Sequence, residues 1–416
     1  MLKYQRIFTN IGIAAIVFLL IGLLGWYFFL RTQTGDIRDL EAARGFNISV
    51  PSFTGSRSST AENIASGVVT ESLLAVTEGQ GAPPRLWKVS TSPIAGFGFI
   101  GASTTLRYVE RATGHIYDVN VETGAATRVT NELIPKVYEA HIVGTTTVVL
   151  RLLDDTGMPT TLIGVLGTTT DDGFTRFTTS NLGTTIRTVA PSSVRPEIMM
   201  LAEGADNVTH LIRARADGTA PQQVLTLGVG GFALEWLSDG KLFLVELPAS
   251  GIPGHAYEVV QDALNPILRG VPGLMVTPRP ASGALLYSSD DGARVRLFVR
   301  PAAGSSITEI TLGTIAKKCV WAPASTGTST PTLTIYCAAP QEAVGANFLD
   351  RWLRGVLHTA DAWFRIDASA GAVERFFTPE TTVALDVERP AMDSAGEYIA
   401  FMNARDKSLW LLRVNE

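Results

Sequence analysis

The stretch HIYDVNVETGAATR at residues 115–128 returns as AWFRIDASAGAVER at residues 362–375, 247 positions later. Tyr117 and Phe364, Val119 and Ile366, Gly124 and Gly371, and Arg128 and Arg375 fall in register. Each copy runs from an alternating segment through a Gly-containing turn into a second segment, the pattern of a β-hairpin. The glycine is needed because such turns place one residue at positive φ, which costs any side chain with a Cβ. Leu297, Val299 and Gly304 keep the spacing at an offset of 180, and Leu211 to Val224 around Asp217-Gly218 follows more loosely.

A second kind of hairpin precedes these copies. Glu235 to Phe243, Arg279 to Tyr287 and Arg389 to Tyr398 each read as strand, polar turn, apolar strand. Two hairpins make one four-stranded antiparallel blade. Inner strands are expected near residues 95, 139, 198, 233, 274, 319 and 385, about seven blades of about 47 residues each. The region is therefore read as an all-β, seven-bladed β-propeller over residues 85–416. A pair of β-sandwich domains also gives short strands and regular turns, but it does not repeat one motif in register at multiples of a blade length. The last blade has three strands before Glu416, whereas Arg85 to Ser90 is a strand without a blade. Pairing that strand with Leu409 to Val414 would close the ring and remove two exposed edges.

Upstream, Ile11 to Leu30 (IGIAAIVFLLIGLLGWYFFL) holds no charged side chain, and 20 residues at about 1.5 Å each cover the ~30 Å hydrocarbon layer. The stretch reads as one transmembrane helix, with Trp26 to Phe29 at the interface. A cleaved signal peptide fits less well, because the apolar run exceeds the usual ~7–15 residues and no small-x-small site follows. Lys3 and Arg6 precede the span without acidic neighbours, which places residues 1–10 in the cytoplasm and the bulk outside it, at the cell envelope. Residues 31–84, rich in Ser, Thr, Gly and Ala, form a flexible linker with a root-mean-square span of about 40 Å.

The full chain of 416 residues carries 34 basic and 39 acidic side chains, a formal net charge of −5, so nothing electrostatic points to nucleic acid as a partner. With Lys318-Cys319-Val320-Trp321, Ile335-Tyr336-Cys337-Ala338, Asp361 to Asp367 and the opening Trp87 to Gly96, the soluble region resembles TolB-like and WD-repeat-like β-propellers. It looks closest to single-pass membrane-anchored bacterial propellers. The resemblance implies fold and anchoring, with a family tendency to bind other molecules on a loop face, and it carries no catalytic motif.

No His-Glu-x-x-His, Gly-x-Ser-x-Gly or phosphate-binding Gly loop occurs, so no catalytic residue, cofactor or metal is assigned. His115, His141, His210, His255 and His358 fall apart from one another and read as single strand or surface histidines. Asp290-Asp291-Gly292 and similar pairs lack the further carboxylates calcium needs and read as turns. Cys319 and Cys337 lie symmetrically about residue 328, inside the turn between two strands of one blade. They would face each other and form a disulfide; the alternative is two buried thiols.

Between Cys337 and Asp361 the strand pattern breaks, and Ala346 to Gly355 reads as a short helix. Its loop is expected on the same end of the ring as the loops joining blades, taken as 131–136, 247–254 and 379–382. Phe348, Arg351, Trp352, Arg354 and Tyr138 are the candidate interaction residues, since Trp, Tyr and Arg are enriched in binding hot spots. The rival reading has Phe348 and Trp352 capping their own blade. The expected function is a membrane-anchored protein- or peptide-binding scaffold. The alternative is an envelope enzyme acting on glycan or peptide, whose site residues converge at the channel mouth from several blades.

Overall fold

The computed structural model describes residues 83–415 apart from 184, 193–194, 205–207, 229, 238, 281, 303–305 and 324–332. The expected span at Ile11 to Leu30 and all but the last two residues of the linker lie outside the described residues. Within the described residues the chain forms seven four-stranded antiparallel sheets, taken in sequence order as blades one to seven. Their inner strands are Ile94–Phe99, Val137–Val143, Ile186–Pro191, Phe232–Trp236, Met275–Pro278, Cys319–Trp321 and Val387–Met392.

Six of these fall where the sequence places them; the third does not. Glu197–Glu203, containing residue 198, is the second strand of blade three, paired on one side with Ile186–Pro191. The outer strand of blade two ends at Gly183 and the next begins at Ile186. With only two residues between the strands, the turn glycine, Gly183 at φ 103°, falls inside a strand end and no separate loop marks the boundary.

Ring closure follows from where apolar side chains gather. Seven buried clusters each join two successive blades. Ala95 and Ala140 meet between blades one and two, and Leu286 and Cys319 between five and six. The seventh joins the last blade to the first, through Leu411 and Met402 against Ile94 and Leu106. The opening strand Leu86–Lys88 pairs with Leu409–Arg413, Trp87 opposite Leu411, so the outer strand of blade seven comes from the other end of the chain. Arg85 strengthens the closure by donating from its guanidinium to the Val414 carbonyl at 2.9 Å.

Glycine is used where the repeat requires it. Gly124 and Gly371, matched by the sequence repeat, sit at φ 75° and 68°. Gly96 serves a different need: a Cβ there would stand 2.0 Å from the Ala140 carbonyl oxygen, so only glycine lets the inner strands of blades one and two approach. Gly96→Ala is expected to lower the unfolding free energy by about 1–3 kcal/mol through overpacking. An unchanged urea midpoint would contradict this close approach.

Cys319 and Cys337 face each other across the first two strands of blade six and are bonded, with Cα atoms 4.0 Å apart. The turn that the bond spans lies largely outside the described residues.

Candidate functional site

The seven inner strands line one channel. Phe97, His141, Pro191, Glu235, Thr277, Cys319 and Arg389, one from each blade in turn, border a cavity of about 440 Å³, together with Lys317 just ahead of the blade-six strand. A larger cleft of about 630 Å³ opens between blades three and four, but those two blades alone line it. The channel is the candidate site because residues distant in sequence converge there. In a ring, only the axis collects side chains from every blade.

Its carboxylates are already engaged. Glu235 pairs with Lys317 across 82 positions of sequence. Beside the cavity, Glu139 Oε1 accepts from His141 Nε2 at 3.1 Å and Oε2 from Arg151 at 2.8 Å. Burial works against charge on Glu139, but the hydrogen bond and charge of His141, with the charges of Arg389 and Arg151, outweigh it. The carboxyl is held well below the usual carboxylate range. A depressed folded pKa gives stability that is fully present above the unfolded value and lost as pH falls. The advantage of the parent chain over Glu139→Gln is therefore expected to shrink as pH drops below 4.5. Parallel urea titrations check this, and a pH-independent difference would contradict it.

The insertion in blade six forms the helix Phe348–Leu353, followed by Gly355 at φ 68°. Phe348 and Leu349 are fully buried in the cluster between blades five and six, with Trp352 packed beside them. Phe348 therefore does not face a partner: an aromatic in the first turn of so short a helix contributes more to the apolar junction than it would to the surface. Trp352 is half-buried, and its indole N–H donates to Asp386 at 2.8 Å. Arg351 and Arg354 are exposed. Tyr138 lies half-buried on the inner strand of blade two, under the Arg151 guanidinium, and does not join the blade-six residues in one patch.

The start of the helix is tied to two other blades. Asp290 of blade five accepts from the Leu349 N–H at 3.0 Å and the Ser250 hydroxyl at 2.8 Å, and Asp350 accepts from the Ser250 N–H at 2.8 Å. The other Asp290 oxygen takes the Gly292 N–H, and Asp291 accepts from the N–H groups of Ala293 and Arg294, so both aspartates organise the turn while Asp290 also anchors the insertion. Ser250 belongs to a loop between the second and third strands of blade four, Leu242–Glu246 and Pro253–Val260. The segment 247–254 therefore lies within that blade rather than joining two blades. Its Pro253 and Gly254 misled the sequence reading, because loops of both kinds carry the same turn residues.

Sequence reading missed a buried ionic cluster behind Trp352. Lys318 Nζ donates to Asp361 and Asp386 at 2.6 Å each and to Thr359 at 2.7 Å, with all three charged side chains fully buried. Asp386 also accepts from His358 Nδ1 at 3.0 Å. Burial pushes the Asp361 carboxyl up despite Lys318. For Asp386 burial acts in the same direction, but Lys318, Trp352 and His358 prevail and lower it. The only linear signal was the pair Lys317-Lys318 interrupting an apolar run at the entry to a strand. Among the described residues no three His, Cys, Asp or Glu side chains are grouped to hold a metal ion.

No family model matches the chain, and no curated protein does. Solved structures do. A YCF48 structure from Cyanidioschyzon merolae superposes with TM-score 0.51 at 9% identity, over 79% of this chain and 99% of that one. YCF48 bound to D1 peptide gives 0.50 at 11% identity, over 84% and 100%. The β-propeller domain of the trilobed protease from Pyrococcus furiosus gives 0.49 at 10%, over 79% and 99%. At such identities the likeness to the two YCF48 structures is one of fold; the sheets themselves make that fold a seven-bladed propeller of four-stranded antiparallel blades, closed by the strand Leu86–Lys88.

Proposed function

We propose that this chain is a membrane-anchored, extracytoplasmic scaffold of the cell envelope that binds a protein or peptide segment in the central channel of its propeller. The observation that carries the reading is the channel itself, a cavity of about 440 Å³ bordered by aromatic, proline and charged side chains from all seven blades. Its size falls within the usual ~300–1,000 Å³ of ligand pockets, which suits a chain end or loop tip rather than a folded domain. YCF48, a propeller of the same fold, has been solved with a peptide bound, which agrees with this reading. The apolar run at Ile11 to Leu30 supports anchoring, and the basic residues before it support the orientation.

Two measurements test the two halves. External protease applied to spheroplasts is expected to digest the propeller while the amino-terminal fragment stays with the membrane; a fully protected propeller would overturn the placement. Ala391→Trp, which fills part of the channel wall, is expected to abolish binding of hexapeptides that the full-length parent chain selects from a random library. Equal binding with an unchanged melting temperature would overturn the channel as the site.

One observation favours a second reading. Glu139 orients His141 within the channel, a pairing suited to general-base work, so an envelope enzyme acting on peptide or glycan is the rival proposal. It requires turnover that His141→Ala abolishes.

A further inference from the structure

We propose that the channel recognises a carboxylate through Arg389, so that its ligand is a peptide bearing a free α-carboxylate or an Asp or Glu side chain. This rests on the channel being the peptide site. The inner strand of blade seven is irregular between Glu388 and Ala391, where its register with the second strand shifts. A bulge of this kind re-aims a side chain. Arg389 sits in it at φ 53°, the left-handed region that long side chains rarely enter. Pro390 follows, and the residue before a proline ordinarily stays extended. Arg389 thus departs from two local preferences, and the result is an arginine at the channel border whose charge acts on Glu139. Backbone strain held by the surrounding structure concentrates at binding sites.

Charge makes the same point independently. Arg389 lies close enough to Glu139 to favour its ionised form, yet both oxygens of Glu139 are occupied by His141 and Arg151. Glu235 is paired with Lys317, and the adjacent Glu388 with Lys407. Arg389 makes no hydrogen bond or ion pair among the described residues, and the carboxylate whose charge it feels, Glu139, has both oxygens taken, so its donors are open at the channel wall. The fork of donors on a guanidinium matches a carboxylate in two-point geometry. Phe97 and Trp236 offer apolar surface in the same cavity for the stem of the ligand.

The test uses the full-length chain in detergent and hexapeptides taken from its own library selection, each made as free acid and as amide, and with Asp and Glu exchanged for Asn and Gln. Arg389→Gly is expected to weaken binding about tenfold or more. It should also raise the melting temperature, because glycine accepts positive φ without strain. Loss of affinity on amidation identifies the α-carboxylate as the bound group, and loss only on Asp or Glu exchange identifies a side chain; either result supports the inference. Equal affinity for neutral amidated peptides, unmoved by Arg389→Gly, would overturn it while leaving a peptide-binding channel in place. Binding by no peptide would overturn both. A melting temperature that falls together with affinity would mark Arg389 as structural and also overturn the inference.

Discussion

Lys318→Met is expected to lower the unfolding free energy by about 3–5 kcal/mol, the range seen when one partner of a buried ion pair is removed. Lys318, Asp361 and Asp386 are each fully buried, and the three ammonium donors have three acceptors within 2.7 Å. Methionine fills a similar volume but leaves two carboxyl groups facing each other without a cation. The loss should include the insertion, because Trp352 hydrogen-bonds Asp386 and stacks near Lys318 at 5.3 Å. Asp361→Asn should behave differently. One lysine between two aspartates leaves an excess of negative charge, and Asp361 is the member that burial pushes towards the neutral form. A carboxyl raised in the folded state gives stability that is fully present below its unfolded value and lost as pH rises through the folded value. The asparagine variant is therefore expected to gain on the parent chain as pH rises from 3.8 towards neutrality. Urea titrations of both variants decide this; a Lys318→Met cost below about 1 kcal/mol would mean that the cluster contributes little.

Removing the disulfide by Cys319→Ala and Cys337→Ala together is expected to cost about 3 kcal/mol, the chain-entropy value for a closed loop of roughly this size. The two cysteines are 18 positions apart and bonded between adjacent strands. Both are buried in the cluster that holds Phe348, so alanine also leaves space where sulfur packed against Leu286 and Ile335. The same loss should follow reduction of the parent chain by dithiothreitol once the bond is accessible. An unfolding midpoint indifferent to reductant would show that pairing across the first two strands of blade six suffices without the bond.

The fold was legible because hairpins repeat. Gly124 and Gly371 mark the same turn in two blades, and Arg85 to Ser90 reads as the missing outer strand that it proves to be. Cys319 and Cys337 could be paired because their midpoint falls in a turn. The third inner strand was lost where the joining segment shrinks to two residues and its turn glycine, Gly183, becomes part of a strand end. The site resisted linear reading for a deeper reason. Neighbours on the channel wall, such as His141 and Arg389, are separated by most of the ring in sequence. Lys318, Asp361 and Asp386 likewise come together only when blades six and seven pack. The insertion helix was found from its broken strand pattern, but sequence cannot separate an aromatic that binds a partner from one that fills a blade junction, and Phe348 does the latter.

The channel is tested most directly in living cells by placing a photoreactive residue at Phe97, inside it, and separately at Thr178, exposed on the outer strand of blade two. After illumination, the expected result is a discrete adduct from position 97 alone, reduced by Arg389→Gly, with the trapped segment carrying a chain end or an acidic residue at the attachment point. Adducts of equal yield from both positions, or none from position 97, would contradict the account.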